Sequence, residues 1–309
     1  MDVEEVDEGD DEEMDVSGYT GVVRPWNIDS YETLRSPYQY ALNNDADLPY
    51  FYTKVQEDAY FGYIHDGTIF KHQYINMTYM MENKNTFGLV ANLHAMGLYD
   101  FLQHKCNWND MIVRQFYATM EIDIVKEKIE WMTGKRRYSA TFDEFARANK
   151  LDNGFFVDSI DLDEEDPLPM EKRRQFYESE HTMKQFKIGG PKGLRHHPIA
   201  INKIARVTFM PKGGARGEIR DKYWNVIHHI MFSKKFDVVK FMMNQLVVLK
   251  HDMKMKLYFA PYIMSLILQK TKFKGECRVR HERIKPLNND KDFFTRELTP
   301  FPEPSEREQ

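Results

Sequence analysis

Apolar side chains recur at three- and four-residue spacing through most of this chain, and that period dictates helices. From Thr86 to Leu102 they fall at Val90, Leu93, Gly97 and Phe101, with Leu98 and Leu102 alongside. From Asn109 to Met120 a second helix sets Met111, Ile112, Gln115, Phe116 and Thr119 on one stripe. Three further helical patterns run over Glu218–Phe232, Val238–Leu249 and Pro261–Gln269. Pro261 suits the first helical position, where its missing N–H costs nothing. The period changes to two only once. In Lys128-Ile129-Glu130-Trp131-Met132 apolar and charged residues alternate, and Thr133-Gly134 supplies a turn before Arg136 to Ser139, which reads as a β-hairpin. Thr141-Phe142-Asp143-Glu144 then matches a capping box, and the short helix it starts is expected to stop at Asp152-Asn153-Gly154, where glycine can take the left-handed cap. The fold class expected is mainly α, in two helical lobes with a small β-hairpin in the first.

Charge sets the boundaries between these pieces. Residues 1–16 hold ten Asp or Glu and no Lys or Arg, so 1–25 is expected to be a disordered acidic tail. Without those ten the remainder carries 43 basic against 38 acidic residues, a mildly basic body. The first lobe spans 26–154 and opens on Asp29-Ser30-Tyr31-Glu32, which fits a helix start. An acidic linker and a charged helix, Met170 to His181, fill 155–193. In the linker Asp158, Asp161, Asp163, Glu164, Glu165 and Asp166 precede Pro167 and Pro169. The second lobe spans 194–272, and 273–309 reads as a loose basic and then Pro-rich tail. No window approaches the ~20 apolar residues of a membrane span. The acidic N-terminus excludes a secretory signal, and Cys106 and Cys277 are too few for a disulfide framework or a four-ligand zinc site. An intracellular protein of the cytoplasm or nucleus, with no membrane partner, is expected.

The candidate chemistry is sparse. His196-His197 and His228-His229 are adjacent pairs, and neighbours on a helix point about 100° apart, whereas a helical zinc pair needs i and i+4. A nuclease reading of His196 and His197 with Asn202 has no other support. Gly189-Gly190-Pro191-Lys192-Gly193 and Gly213-Gly214-Ala215-Arg216-Gly217 do not complete a P-loop and read as turns; the second leads into a helix, where a weak anion site is conceivable. The cluster 158–166 lacks the EF-hand pattern, which leaves solvated charge. Neither D-[ST]-G nor G-x-S-x-G occurs. No catalytic, metal-binding or cofactor-binding residue is assigned, and no cofactor is expected.

One charged segment stands apart. Lys270, Lys272, Lys274, Arg278, Arg280, Arg283 and Lys285 face only Glu276 and Glu282 within 270–285. Such a run is either a solvated tail or an arm that contacts the phosphates of RNA or DNA without reading sequence. Between Phe232 and Met264, Met242, Met243, Met253, Met255 and Met264 lie among aromatics and lysines, either as core or as an adaptable surface for self-association.

From Val113 to Leu151 the chain carries a recognisable pattern. Val113-Arg114-Gln115-Phe116-Tyr117-Ala118-Thr119-Met120, Trp131-Met132-Thr133-Gly134, Tyr138-Ser139-Ala140-Thr141-Phe142 and Phe145-Ala146 together resemble the plant transposon proteins, the gag-like region of plant Ty3/gypsy-type retrotransposons. Leu93 to Leu102 is similar to the helix that precedes this pattern in the family, and Tyr258 to Met264 to a late motif. The likeness covers roughly 84–270, densely over 86–151. In it Phe116, Tyr117, Trp131, Gly134, Tyr138, Phe142 and Phe145 are structural residues of core, turn or cap. The resemblance implies a non-enzymatic, retroelement-derived structural protein that self-associates, although the zinc knuckle of many gag proteins is absent. Two other readings stay open: a host-adopted transposon protein that binds DNA or chromatin, and a degenerate nuclease or transposase.

Overall fold

The computed structural model describes residues 50–151, 159–178, 188–211, 218–251, 256–271 and 273–286. Expectations that fall on the acidic tail, on Asp29-Ser30, on Asp152 to Asp158, on 179–187, on Gly213 to Gly217, on Met253 and Met255, on Lys272 and on 287–309 lie outside the described residues.

The fold is mainly α, and four of its helices begin where a side chain caps them. Helix α1 (Lys54–Ala59) starts at Thr53, whose side chain accepts from the Gln56 N–H, and it runs on into a π-helical turn at Tyr60–Ile64. Strand β1 (Gln73–Ile75) precedes α2 (Met77–Glu82), which Asn76 caps by accepting from the Tyr79 N–H. The single helix expected over 86–102 is two, α3 (Phe87–Ala95) and α4 (Tyr99–Gln103). Gly97 stops the first: at φ +68° it lets its own N–H reach His94 O and the Leu98 N–H reach Leu93 O, the paired bonds of a Schellman cap.

Helix α5 (Asp110–Thr119) is capped by Asn109, whose side chain accepts from Ile112 N–H. The hairpin is present as β3 (Lys128–Thr133) and β4 (Arg136–Thr141), with Trp131 opposite Tyr138 and Gly134 at φ +61° in the turn. A further strand, β2 (Glu121–Asp123), pairs with β3 to give an antiparallel sheet in the order β2-β3-β4. The capping box then forms with both halves bonded, and opens α6 (Phe142–Ala148).

Helix α7 (Met170–Arg174) is shorter than the charged helix expected to reach His181. The chain leaves it to bury Phe176 and Tyr177 and to bridge Tyr177 with Leu194, and helical continuation would prevent both. Helix α8 (His196–Val207) was not anticipated. Helices α9 (Asp221–Met231), α10 (Val238–His251) and α11 (Ala260–Lys270) follow the periodic patterns within a few residues. Strand β5 (Glu282–Ile284) lies parallel to β1.

The two stretches expected as separate lobes share one hydrophobic core. The reason is α11. Every residue from Ala260 to Ile267 is buried, and a helix apolar all round has to sit inside the molecule rather than on a face of it. It packs against α5 and α6, while α10 also packs against α6 and α9 against α3. Polar bonds cross the same boundary. Tyr117 donates to Tyr258 O, Asn149 to Tyr262 O at 3.3 Å, and Asn92 to Met231 O at 3.1 Å.

The acidic stretch between the halves is pinned rather than solvated over its described part. Asp161 pairs with Lys240 at 2.6 Å, Asp163 with Lys222 at 2.5 Å and with Asn244 at 2.6 Å, and Glu165 with His229 at 2.7 Å. These partners stand on α9 and α10, so the stretch straps those helices together. The tail expected to be loose from residue 273 is also held, as far as Pro286, and that part carries the candidate site.

Candidate nucleic-acid interface

The aromatic residues of α5, the hairpin and α6 pack together. Phe116, Trp131 and Phe145 are fully buried, with the Phe116 and Trp131 ring centroids 5.7 Å apart and Trp131 stacked on Tyr138 at 6.0 Å. Two polar residues on the α5 stripe explain how helix and hairpin join. Gln115 donates to Gly134 O at 2.5 Å and to Tyr50 O at 2.8 Å, and accepts from Gly134 N–H at 2.8 Å. Thr119 accepts from Met132 N–H at 2.9 Å and donates to Gln115 O at 2.8 Å. Tyr117 and Phe142 are buried as well, while Tyr138 is half-buried and Gly134 lies in the turn.

The basic segment is built differently from what its composition suggested. Residues 273–286 form a strap across β1 and the loop before α5. Trp108 and Val279 exchange both backbone bonds, at 3.0 and 3.1 Å. Asn109 donates to Glu276 O at 2.8 Å, Asn107 accepts from the His281 N–H at 3.0 Å, and the Asn76 N–H reaches Ile284 O at 3.0 Å. In β5 the partners are Gln73 with Glu282, Tyr74 with Arg283, and Ile75 with Ile284. His281 is buried beneath, where its Nδ1 accepts from the Cys106 N–H at 3.3 Å.

This frame sorts the seven candidate cations. Lys270 is withdrawn into the fold, bonded at 2.7 Å to Glu144, the same carboxylate that completes the capping box. The Lys270 bond holds the Glu144 carboxyl below its usual range. Lys272 lies outside the described residues. Arg278 pairs with Glu276 at 2.7 Å, but both side chains are highly exposed, 85% and 74%, so that pair is open to exchange with another anion. Lys274, Arg280, Arg283 and Lys285 are exposed along the strap. The structure therefore brings five of the seven onto one anchored segment.

Several histidines, including the adjacent pairs, are packed into the fold. His72 is 1% exposed and accepts from the Phe259 N–H at 2.7 Å; burial, reinforced by His281, drives its pKa down to about 3. Burial, with His104 nearby, takes His281 down to about 4. His104 Nε2 stands 3.0 Å from Ser265 Oγ, whose single proton is directed at Ala148 O at 2.7 Å, so the imidazole donates to the hydroxyl. His228 is lowered to about 4, first by burial and then by Lys234. His196 is buried at the start of α8, His197 packs over Gly88, and Asn202 accepts from Arg206 at 3.3 Å. Among the described residues no group of three or more His, Cys, Asp or Glu could hold a metal ion. Both cysteines are free, and burial pushes the Cys106 thiol up to about 12.

Gly189 to Gly193 is a turn closed on the preceding segment. The Gly189 N–H donates to Tyr177 Oη at 2.8 Å, Tyr177 donates to Gly190 O at 2.7 Å, and the Glu178 N–H reaches Gly193 O at 2.9 Å. The described methionines of the methionine-rich segment are core. Met242, Met243 and Met264 are fully buried, because α10 and α11 turn them inward, and the described part of that segment offers no methionine surface for self-association. No helix among the described residues is long and apolar enough to cross a membrane.

Sequence reasoning missed two aromatic residues beside the strap, Tyr74 and Tyr79. Lys285 Nζ lies 5.4 Å from the centre of the Tyr79 ring. The only sequence signal was their aromatic character, since the parallel pairing that brings β5 to β1 spans some two hundred residues. Comparison with family models, with curated proteins and with solved structures finds no match.

Proposed function

We propose that this chain is a non-enzymatic, gag-like structural and assembly protein of retroelement origin that contacts RNA or DNA through its basic strap without reading sequence. The observation that carries the nucleic-acid part is the strap itself: Lys274, Arg278, Arg280, Arg283 and Lys285 exposed on a segment fastened by backbone bonds. Cations held on a fixed backbone neutralise phosphates at a smaller ordering cost than the same residues on a free tail. β5 is only three residues long and pairs edge to edge with β1, a ribbon too short to follow a groove, and sequence-blind contact follows. The structural part rests on the resemblance over 86–151, whose residues build a helix–hairpin–helix core. The working place of such a protein is inside the cell, in cytoplasm or nucleus.

Self-association on this reading uses surfaces other than the methionine-rich helices. Phe61, Phe87 and Met111 are each more than 60% exposed and stand on the described surface of the first half. Sedimentation velocity at micromolar concentration, with and without a mixed-sequence oligonucleotide, tests both halves together. Larger species whose population grows with concentration support the reading. A strict monomer that ignores the oligonucleotide contradicts it.

A further inference from the structure

We infer that the face built by β1, α2 and the strap binds single-stranded nucleic acid in preference to duplex, by stacking bases on Tyr74 and Tyr79 between the strap cations. This rests on the reading above and adds to it the form of the ligand.

The placement follows from strand geometry. Successive side chains of a strand point to opposite faces, so Tyr74 lies across the sheet from buried Ile75, and it is itself half-buried. Its partner across the parallel pair is Arg283, which is exposed on that same face. Beneath one edge the Tyr74 ring rests against buried His281, with centroids 5.3 Å apart, which limits its freedom. Tyr79, on the first turns of α2, is only half-buried. Its hydroxyl accepts from Asn83 Nδ2 at 2.8 Å, and Lys285 Nζ sits 5.4 Å from its ring centre. Two half-buried, restrained aromatic rings therefore lie close to two exposed cations, Tyr74 paired across the strands with Arg283 and Tyr79 with Lys285 over its ring.

That combination is the one single strands use. Unpaired bases offer their flat faces for stacking while the backbone runs along fixed cations, and the stacking tolerates any sequence. A duplex hides those faces and presents phosphates alone, so it gains from Arg283 and Lys285 but nothing from the rings. The tyrosine hydroxyls are not needed for stacking, which separates ring chemistry from hydrogen bonding.

The test is fluorescence anisotropy of the full chain with a labelled oligo-thymidylate of roughly twenty nucleotides, a duplex of equal length, and an abasic strand of equal charge, at several salt concentrations. The inference expects the thymidylate to bind about tenfold or more tighter than the abasic strand and the duplex. Tyr74→Leu and Tyr79→Leu should each remove about fivefold or more of that advantage, leaving duplex affinity and the salt slope unchanged. Tyr74→Phe and Tyr79→Phe should restore it, and circular dichroism confirms that all four variants fold. Equal binding to all three ligands with silent tyrosines overturns this inference and leaves the strap as a simple polyanion contact. Absence of binding to any of them overturns that contact as well.

Discussion

Lowering the pH from 7 to 5 should cost this fold several kcal/mol, and the depressed histidines His72, His281 and His228 supply the cost, the first two being the most deeply buried. His72 and His281 are 1% and 3% exposed, with pKa values driven down to about 3 and about 4 by burial. In the unfolded chain both titrate near the ordinary 6.5. The folded values are depressed, so the stability these residues contribute is fully present above pH 6.5 and is lost as pH falls toward 4. Between those limits each takes up a proton on unfolding, which costs about 1.4 kcal/mol per pH unit. From pH 6.5 to 5 that is about 2 kcal/mol each, or about 4 kcal/mol for the pair. The two rings face each other's charge, so a proton on one raises the cost of a proton on the other. The assay is urea unfolding followed by tryptophan fluorescence at half-unit steps of pH. Asparagine in place of His72 should lower stability at pH 7 and remove about a third of the slope, since His281 and His228 remain. A stability that stays flat from pH 7 to 5, or a slope untouched in H72N, refutes the placement of these rings in the core.

Other perturbations test the joint between helix and hairpin. Trp131→Ala should cost about 3–5 kcal/mol, because the ring is fully buried between α5 and β4, whereas Thr141→Ala should cost only about 1 kcal/mol through the lost cap; chemical denaturation of both variants checks the ratio. Gln115→Ala orphans both backbone groups of Gly134 and should cost about 1–3 kcal/mol per group, read as a lowered thermal midpoint. Removing residues 1–16 takes away ten negative charges, so any self-association measured by sedimentation should strengthen, and most at low salt.

Local features were legible in the sequence and distant ones were not. The hairpin, its glycine turn, the Thr141–Glu144 box and the limits of α5, α9 and α11 all depend on neighbours within a few residues, so spacing and capping chemistry expose them. The split at Gly97 could have been read from the glycine, but Leu98 and Leu102 continued the apolar period and hid it. Helix α8 went unread because His196-His197 drew attention as chemistry, while Ile199, Ala200, Ile201 and Ile204 carried a helical stripe behind it. Acidic residues 161–165 looked like solvated charge because their partners Lys222, His229 and Lys240 lie some sixty to eighty residues away. The candidate site had the same difficulty. Its cations were visible as a run, yet the frame that orders them comes from Gln73 to Asn76 and Asn107 to Asn109. The shared core was not legible, because the apolar run around Tyr262 could equally have been buried within a second lobe, and its contacts with α5 and α6 span more than a hundred residues.

The claim that matters most is that an anchored strap, rather than a dispersed basic surface, carries nucleic-acid contact. Its most direct measurement is the salt dependence of binding for the chain and for the variant R280E/R283E/K285E, using one mixed-sequence single strand. With five exposed cations on the strap, log K should fall against log salt with a slope of about −3 to −4. The variant should lose most of its affinity, and its slope should shrink by about 2. Binding by the variant with the slope and affinity of the original would contradict the account.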